Sequence, residues 1–321
     1  MSELSFRQAI RDALAEEMER DPRVVLFGED VVPGGVFNAT PSLAERFGEN
    51  RVIDMPISEL AFTSAGFAAA VKGLRPIVEI MFGDFLGLVL DTLVNQASKY
   101  WFLSNEQASV PLVVRSAVGA GARFGACHSQ TPTGWFLGEP GLKLVAPSTP
   151  ADAKALTKAA VRDDNPVIVF EHKVLYGRKG EVPDGVDEVA EIGKAAVRHE
   201  GRDVTIAAAL AAVETALAAA EELAGEGVAA EVIDLRSLRP LDIETIAASA
   251  ARTGRVVVVE EGPPTGGYAA EVVAAAIEEA GRPVAARRVT MPDLPIPFAG
   301  ALEDAVVPSA ADVVSAVGTL R

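Results

Sequence analysis

Residues 75–82 read RPIVEIMF, residues 84–102 DFLGLVLDTLVNQASKYWF, and residues 110–116 VPLVVRS. Two short apolar runs flank a long amphipathic stretch, which predicts strand, helix, strand. The runs hold almost no polar residues, so each is expected to be covered on both faces, as in a parallel sheet. The same alternation extends outward. Ser5 and Gln8 form a capping box that opens a helix ending at Asp21-Pro22. VVLFGED (24–30) and RVIDM (51–55) read as strands, and Ser58 is placed to cap a helix reaching Gly73. LKLVAP (142–147), a helix from Thr149-Pro150 to about Arg162, and NPVIVFE (165–171) complete the series.

From about Lys173 to Arg202 the chain turns glycine-rich and charged, with weak periodicity and room for one short edge strand. Alternation then resumes. DVTIAAALA, AAEVIDLRSL, RVVVVEEG and PVAARRVTM are separated by alanine-rich helical segments. The expected class is α/β, with a domain at 1–180, a linker at 181–202 and a smaller domain at 203–321. In the helical series, Pro132 marks a further helix start.

Composition removes several functions. With 29 Lys+Arg against 45 Asp+Glu, the formal charge is −16, which repels phosphate backbones and anionic membranes. Cys127 is the only cysteine, so an intrachain disulfide and a cysteine-built zinc site are excluded, in keeping with a cytoplasmic protein. The most apolar stretch is interrupted by Glu79, Asp84 and Asp91, unlike a membrane span. The P-loop, the G-x-S-x-G elbow and HExxH are absent, as is a GDG…N segment.

Few residues remain to carry chemistry. His128 lies in the glycine-rich loop GAGARFGACHSQTP after a strand, where parallel sheets bind ligands; it reads as an acid/base or as a hydrogen-bonded loop residue. Glu59 stands among Ile57, Leu60, Ala61 and Phe62, either as a first-turn acid favoured by the helix dipole or as a desolvated, functional one. Glu79, inside a buried strand, needs a partner and is structural, paired or catalytic. Phe82 and Phe85 are core rings or a stacking surface for a flat ligand.

Taken together, LFGEDV (26–31), GGVF (34–37), RVIDMPISE (51–59), GLRPIVEIMFGDF (73–85), NQASKY (95–100), HSQTP (128–132), PGLKLVAPSTPADAK (140–154), EVIDLRSLRPLD (231–242), VVVEEGPPTGGYAAE (257–271) and PDLPIPFAGALEDAVVPS (292–309) closely resemble one family. It is the beta subunit of the thiamine-diphosphate-dependent decarboxylase component of 2-oxo acid dehydrogenase complexes, of pyruvate, branched-chain or acetoin type. The resemblance covers nearly the whole chain. It implies a parallel-sheet pyrimidine-binding domain followed by a transketolase C-terminal-like α/β domain. Glu59 would hydrogen-bond the ring nitrogen of the cofactor's aminopyrimidine, with Ile57 and Met81 around that ring and Phe85 stacked on it. His128 would face the substrate carboxylate and the incoming lipoyl group. Leu112, Ala160, Asp163 and Asn165 match a structural potassium site.

The missing GDG…N segment then belongs to an alpha subunit, which would hold magnesium and pyrophosphate in an α₂β₂ heterotetramer. The lipoyl acyltransferase component would dock on the C-terminal domain through a basic binding domain that complements the charge of −16. The resemblance leaves a 2-oxo acid and acetoin open as substrates. Intact Glu59, Phe85 and His128 argue against a non-catalytic scaffold. Arg123, Phe124 and Cys127 depart from the small residues usual in the His128 loop. Arg123 reads either as a substrate contact or as a contact to a neighbouring chain.

Overall fold

The computed structural model describes residues 1–185 and 188–320. The chain forms two compact units. The first comprises Met1–Val118 and Gly138–Ile192; the second comprises Gly119–Leu137 and the chain from Gly193 onward. The division differs from the sequence expectation in two places. Residues 181–192 belong to the first unit, and the loop after the fifth strand belongs to the second.

The first unit contains β1 (Ser2–Ser5), α1 (Phe6–Arg20), β2 (Val24–Gly28), α2 (Leu43–Phe47), β3 (Val52–Asp54), α3 (Glu59–Val71), β4 (Arg75–Ile80), α4 (Tyr100–Leu103), β5 (Val113–Val118), β6 (Lys143–Val145), α5 (Pro150–Arg162), β7 (Val167–His172) and β8 (Lys179–Val182). Its sheet runs β6-β7-β5-β4-β2-β3, every neighbouring pair parallel. The residues of β2, β4, β5 and β7 are all buried, so the apolar runs follow from burial on both faces. Ser5 caps α1 reciprocally with Gln8 (Ser5 N to Gln8 Oε1, 2.9 Å). Thr149 and Pro150 open α5 as expected. α1 and α5 pack against each other, and α3 lies on β4. The short β1 pairs antiparallel with β8.

The single helix expected at 84–102 is instead a 3₁₀ turn (Gly83–Val89), a π-helical turn (Asp91–Ala97) and α4. Side chains take over the backbone groups that the irregular winding frees. Ser98 Oγ and Lys99 Nζ both donate to the Val94 carbonyl at 2.7 Å, and the side chains of Asn95 and Gln96 separately donate to the Asp91 carboxylate at 2.9 Å. Pro132 opens only a 3₁₀ turn, Thr133–Trp135.

The second unit contains β9 (Ala196–His199), β10 (Val204–Ala208), α6 (Ala212–Gly225), β11 (Ala230–Asp234), β12 (Ser237–Arg239), α7 (Ile243–Thr253), β13 (Arg255–Glu260), α8 (Tyr268–Glu279), β14 (Ala285–Thr290), α9 (Gly300–Asp304) and α10 (Ala310–Gly318). Its sheet runs β14-β13-β10-β11-β9, parallel except for the edge strand β9. Alanines of α6 pack with Val213, Leu223, Val313 and Val317 over the valines of β10 and β13. Alanine faces let helix and sheet approach closely. Among the described residues no helix is long and apolar enough to cross a membrane.

Candidate active site

The carboxyl edge of the first sheet gathers the chemistry. β2 ends at Gly28 and delivers Glu29; β3 ends at Asp54 and leads through Met55-Pro56-Ile57-Ser58 to Glu59, the first residue of α3. The stretch is anchored by the Val32 amide, which donates to Asp54 Oδ1 at 2.8 Å. Glu59 is only 8% exposed, yet its carboxyl has no hydrogen-bond partner among the described residues. Glu29 is its neighbour. Burial pushes the Glu29 carboxyl up from its ordinary value, the negative charge of Glu59 adds to this, and Asp30 adds more; a hydrogen bond from the Ser58 amide opposes them. Glu29 Oε1 is buried and unpartnered. One buried oxygen of Glu29 is therefore left without a donor beside a second carboxylate, Glu59.

An aromatic cluster includes the segment that follows β4. Phe85 is half-buried and meets Phe82 edge-on (centroids 5.7 Å). Phe82 meets Phe37 edge-on (5.5 Å), and Phe37 stacks on Tyr176 (5.3 Å). Met81 is half-buried, and Ile57 is 84% exposed.

A second charged cluster lies within the sheet. Arg115, 2% exposed, forks onto Glu171 (Nε to Oε1 2.8 Å, Nη2 to Oε2 2.6 Å) and bonds Glu79 through Nη1. Tyr176 donates to Glu171 Oε2 at 2.8 Å. Glu79 is thus a paired acid. Burial still pushes its carboxyl up, against the pull of Arg115 and with the push of Glu171. The GGVF turn rests on it: a Cβ on Gly35 (φ +75°) would lie 2.9 Å from Glu79 Oε1.

The carboxyl edge of a parallel sheet thus carries two neighbouring acids, Glu29 and Glu59, and the buried Arg115 cluster. Residues 2–179 match the transketolase pyrimidine binding domain, and residues 193–313 the transketolase C-terminal domain. The chain is 45% identical to the 2-oxoisovalerate dehydrogenase subunit beta of Bacillus subtilis, over 94% of each chain. It is 43% identical to the acetoin:2,6-dichlorophenolindophenol oxidoreductase subunit beta of Cupriavidus necator, over 98% of this chain and 96% of that one. It is 42% identical to the pyruvate dehydrogenase E1 component subunit beta of Rhizobium meliloti, over 99% of this chain and 70% of that one. The chain belongs to the family of E1 beta subunits of 2-oxo acid dehydrogenases. A solved structure titled split gene transketolase, inactive beta4 tetramer, superimposes with a TM-score of 0.81 at 26% identity, covering 98% of this chain and 97% of that one.

The four residues expected at a potassium site lie elsewhere in the first unit. Leu112, Ala160, Asp163 and Asn165 converge at the end of α5, but the chain's own cations occupy that corner. Lys143 Nζ bonds the Asp163 carboxylate, which also accepts from Asn165 (Nδ2, 3.0 Å). Arg75 donates to the carbonyls of Val161 (2.7 Å) and Asp163 (2.5 Å). The Leu112 carbonyl accepts from the Val167 amide and that of Ala160 from the Asp163 amide. Lys143 thus already neutralises the Asp163 carboxylate within this chain. Among the described residues no group of three or more His, Cys, Asp or Glu could hold a metal ion.

His128 is half-buried in the second unit, in a turn closed by its amide on the Gly125 carbonyl (3.3 Å). A cavity of about 630 Å³ opens beside its loop, between residues 130–135, 260–267 and 291–296. Glu260 borders it and caps α8, accepting from the amides of Tyr268 (2.9 Å) and Ala269 (2.8 Å). Burial lifts its carboxyl to about 7 despite those donors. Arg123 is occupied by Glu303 and Asp304 of the second unit. Sequence reasoning missed Glu29, Arg115, Glu260 and Glu303. Glu29 and Glu260 shared one signal: an acid that directly ends a buried parallel strand.

Proposed function

We propose that this chain supplies the aminopyrimidine half of a thiamine diphosphate site in a 2-oxo acid dehydrogenase. It would act with an alpha subunit in an α₂β₂ assembly, the alpha chain bringing magnesium and the pyrophosphate grip that the absent GDG…N segment would provide. The observation that supports the reading is the buried Glu59, whose carboxyl no described residue bonds, close enough to Glu29 to raise its proton affinity, with Met81 and Phe85 on the segment that follows β4. That set fits a flat heterocycle with a ring nitrogen: Glu59 would take the nitrogen, Phe85 the ring face, and Met81 and Ile57 its edges.

When bound, thiamine diphosphate supplies the carbon nucleophile and the electron sink for decarboxylation. The protein's share is proton control. With the cofactor bound, Glu59 would hydrogen-bond the ring nitrogen and help control its proton. Glu29 takes up a proton more readily than a surface acid, which relieves its repulsion with Glu59. His128 serves the substrate carboxylate and the acyl acceptor, a lipoyl group of the acyltransferase component.

Reconstitution tests this. The chain alone should not turn over a 2-oxo acid; with an alpha chain bearing GDG…N it should. Glu59→Gln should then lower turnover by about 10²- to 10⁴-fold with assembly intact. Full activity of the isolated chain with thiamine diphosphate and magnesium would end the reading. Comparing products from 2-oxoisovalerate, pyruvate and acetoin assigns the substrate.

A further inference from the structure

The loop Gly119–Leu137 leaves β5 of the first sheet but belongs to the second unit. Apart from the 3₁₀ turn Thr133–Trp135 it has no regular structure. A loop of this kind positions a side chain only if something beyond its own backbone holds it. Two acids do so. Glu261 Oε1 accepts from the Ala120 amide (2.6 Å) and from Thr131 Oγ1 (3.2 Å), one on each side of His128 in the chain. Beside this bridge the Gly119 amide bonds the Gln130 carbonyl (3.2 Å). Glu303, whose side chain is 0% exposed, accepts from the Gly121 amide (2.8 Å) and from Arg123 Nη1 (2.7 Å). Arg123 also donates to the Gly300 carbonyl (2.9 Å). Gly125, at φ +72°, sits where a Cβ would be 3.4 Å from Phe298. The neighbouring Glu260 is committed to α8, so the two adjacent glutamates divide the work, one capping a helix and the other closing the loop.

We propose that Glu261, supported by the Arg123–Glu303 pair, is a positioning residue for His128: one of its carboxylate oxygens, beside the Gly119–Gln130 backbone bond, closes the loop that presents the histidine. This deepens the proposed function and rests on the role given there to His128. Arg123 then serves as a tether rather than as a substrate contact. A carboxylate receiving an amide and a hydroxyl is a strong fixed point, and an error of about 1 Å at a reacting group costs about 10²-fold in rate.

The test uses Glu261→Ala, Glu261→Gln and Thr131→Val in the full chain assembled with its alpha partner. Hydrogen exchange of peptides from 119–131 should rise at least about tenfold in Glu261→Ala and Thr131→Val, with β10 and β13 as protected as in the parent. kcat for acyl transfer should fall about ten- to a hundredfold with KM for the 2-oxo acid changed less than about threefold. Glu261→Gln keeps the accepting oxygen and should restore most of the rate. Unchanged loop exchange and unchanged kcat in Glu261→Ala would overturn the proposal. So would exchange that rises equally across the whole second unit in Thr131→Val, the variant that spares the acid if Glu261→Ala does not fold. If His128→Gln is fully active while the exchange result holds, the histidine's role has failed and the loop closure stands.

Discussion

Two groups of acids lie at the carboxyl edge of the same sheet, and they are handled in opposite ways. Glu79 and Glu171 share the buried guanidinium of Arg115, with Tyr176 supporting Glu171. Glu29 and Glu59 are also buried, but among the described residues no cation pairs with them, and one buried oxygen of Glu29 has no partner. Burial costs the same kind of free energy in both places. The first group recovers it internally and so acts as scaffold, holding the Gly34-Gly35 turn and the aromatic cluster. The second leaves a buried Glu29 oxygen unrecovered, which supports the proposed ligand site.

Four substitutions probe that contrast. The largest effect should come from Glu59→Gln, which costs turnover but shifts unfolding free energy by less than about 0.5 kcal/mol, because no protein bond is lost. Calorimetry beside the assay checks this; a large loss of stability would make Glu59 scaffold. Arg115→Met should do the reverse at the level of folding, costing about 3–5 kcal/mol in urea titrations because two carboxylates lose their shared cation. A cost under about 1 kcal/mol would show that the two acids neutralise themselves and that the contrast is false.

Gly35→Ala should cost about 1–3 kcal/mol, since a Cβ would meet both a left-handed backbone and Glu79. The smallest effect is that of Glu29→Gln, read as pH dependence. Folding raises the proton affinity of Glu29, so the stability it contributes is present below the ordinary value of 4.5 and is lost as pH climbs through the raised one. The glutamine variant should flatten that decline and match or exceed the parent at neutral pH. A parent whose stability rises across that window would reverse the assignment.

What could be read in the sequence was local. Uninterrupted runs such as VVLFG and the Ser5–Gln8 box carry their own explanation, and the structure places strand and helix there. The ISE segment and the rings at 82 and 85 were visible because an acid among apolar residues is anomalous wherever it stands. What escaped depends on distant partners. Nothing near Arg115 in the chain announces Glu79 or Glu171, and the break at Asp91 depends on side chains that take over freed carbonyls. The C-terminal helix α10 opens on its own Ser309–Asp312 capping box, a local signal of the same kind. The domain limits were blurred because the 119–137 loop lies between strands of one unit in sequence and packs with the other.

That loop also limits how this protein can be cut apart. A fragment ending at Ile192 would keep His128 but leave Glu261 and Glu303 behind, and a fragment starting at Gly193 would keep both anchors with nothing to fasten. Dissecting this polypeptide into working pieces therefore needs a graft of 119–137 onto the later segment rather than a single scission.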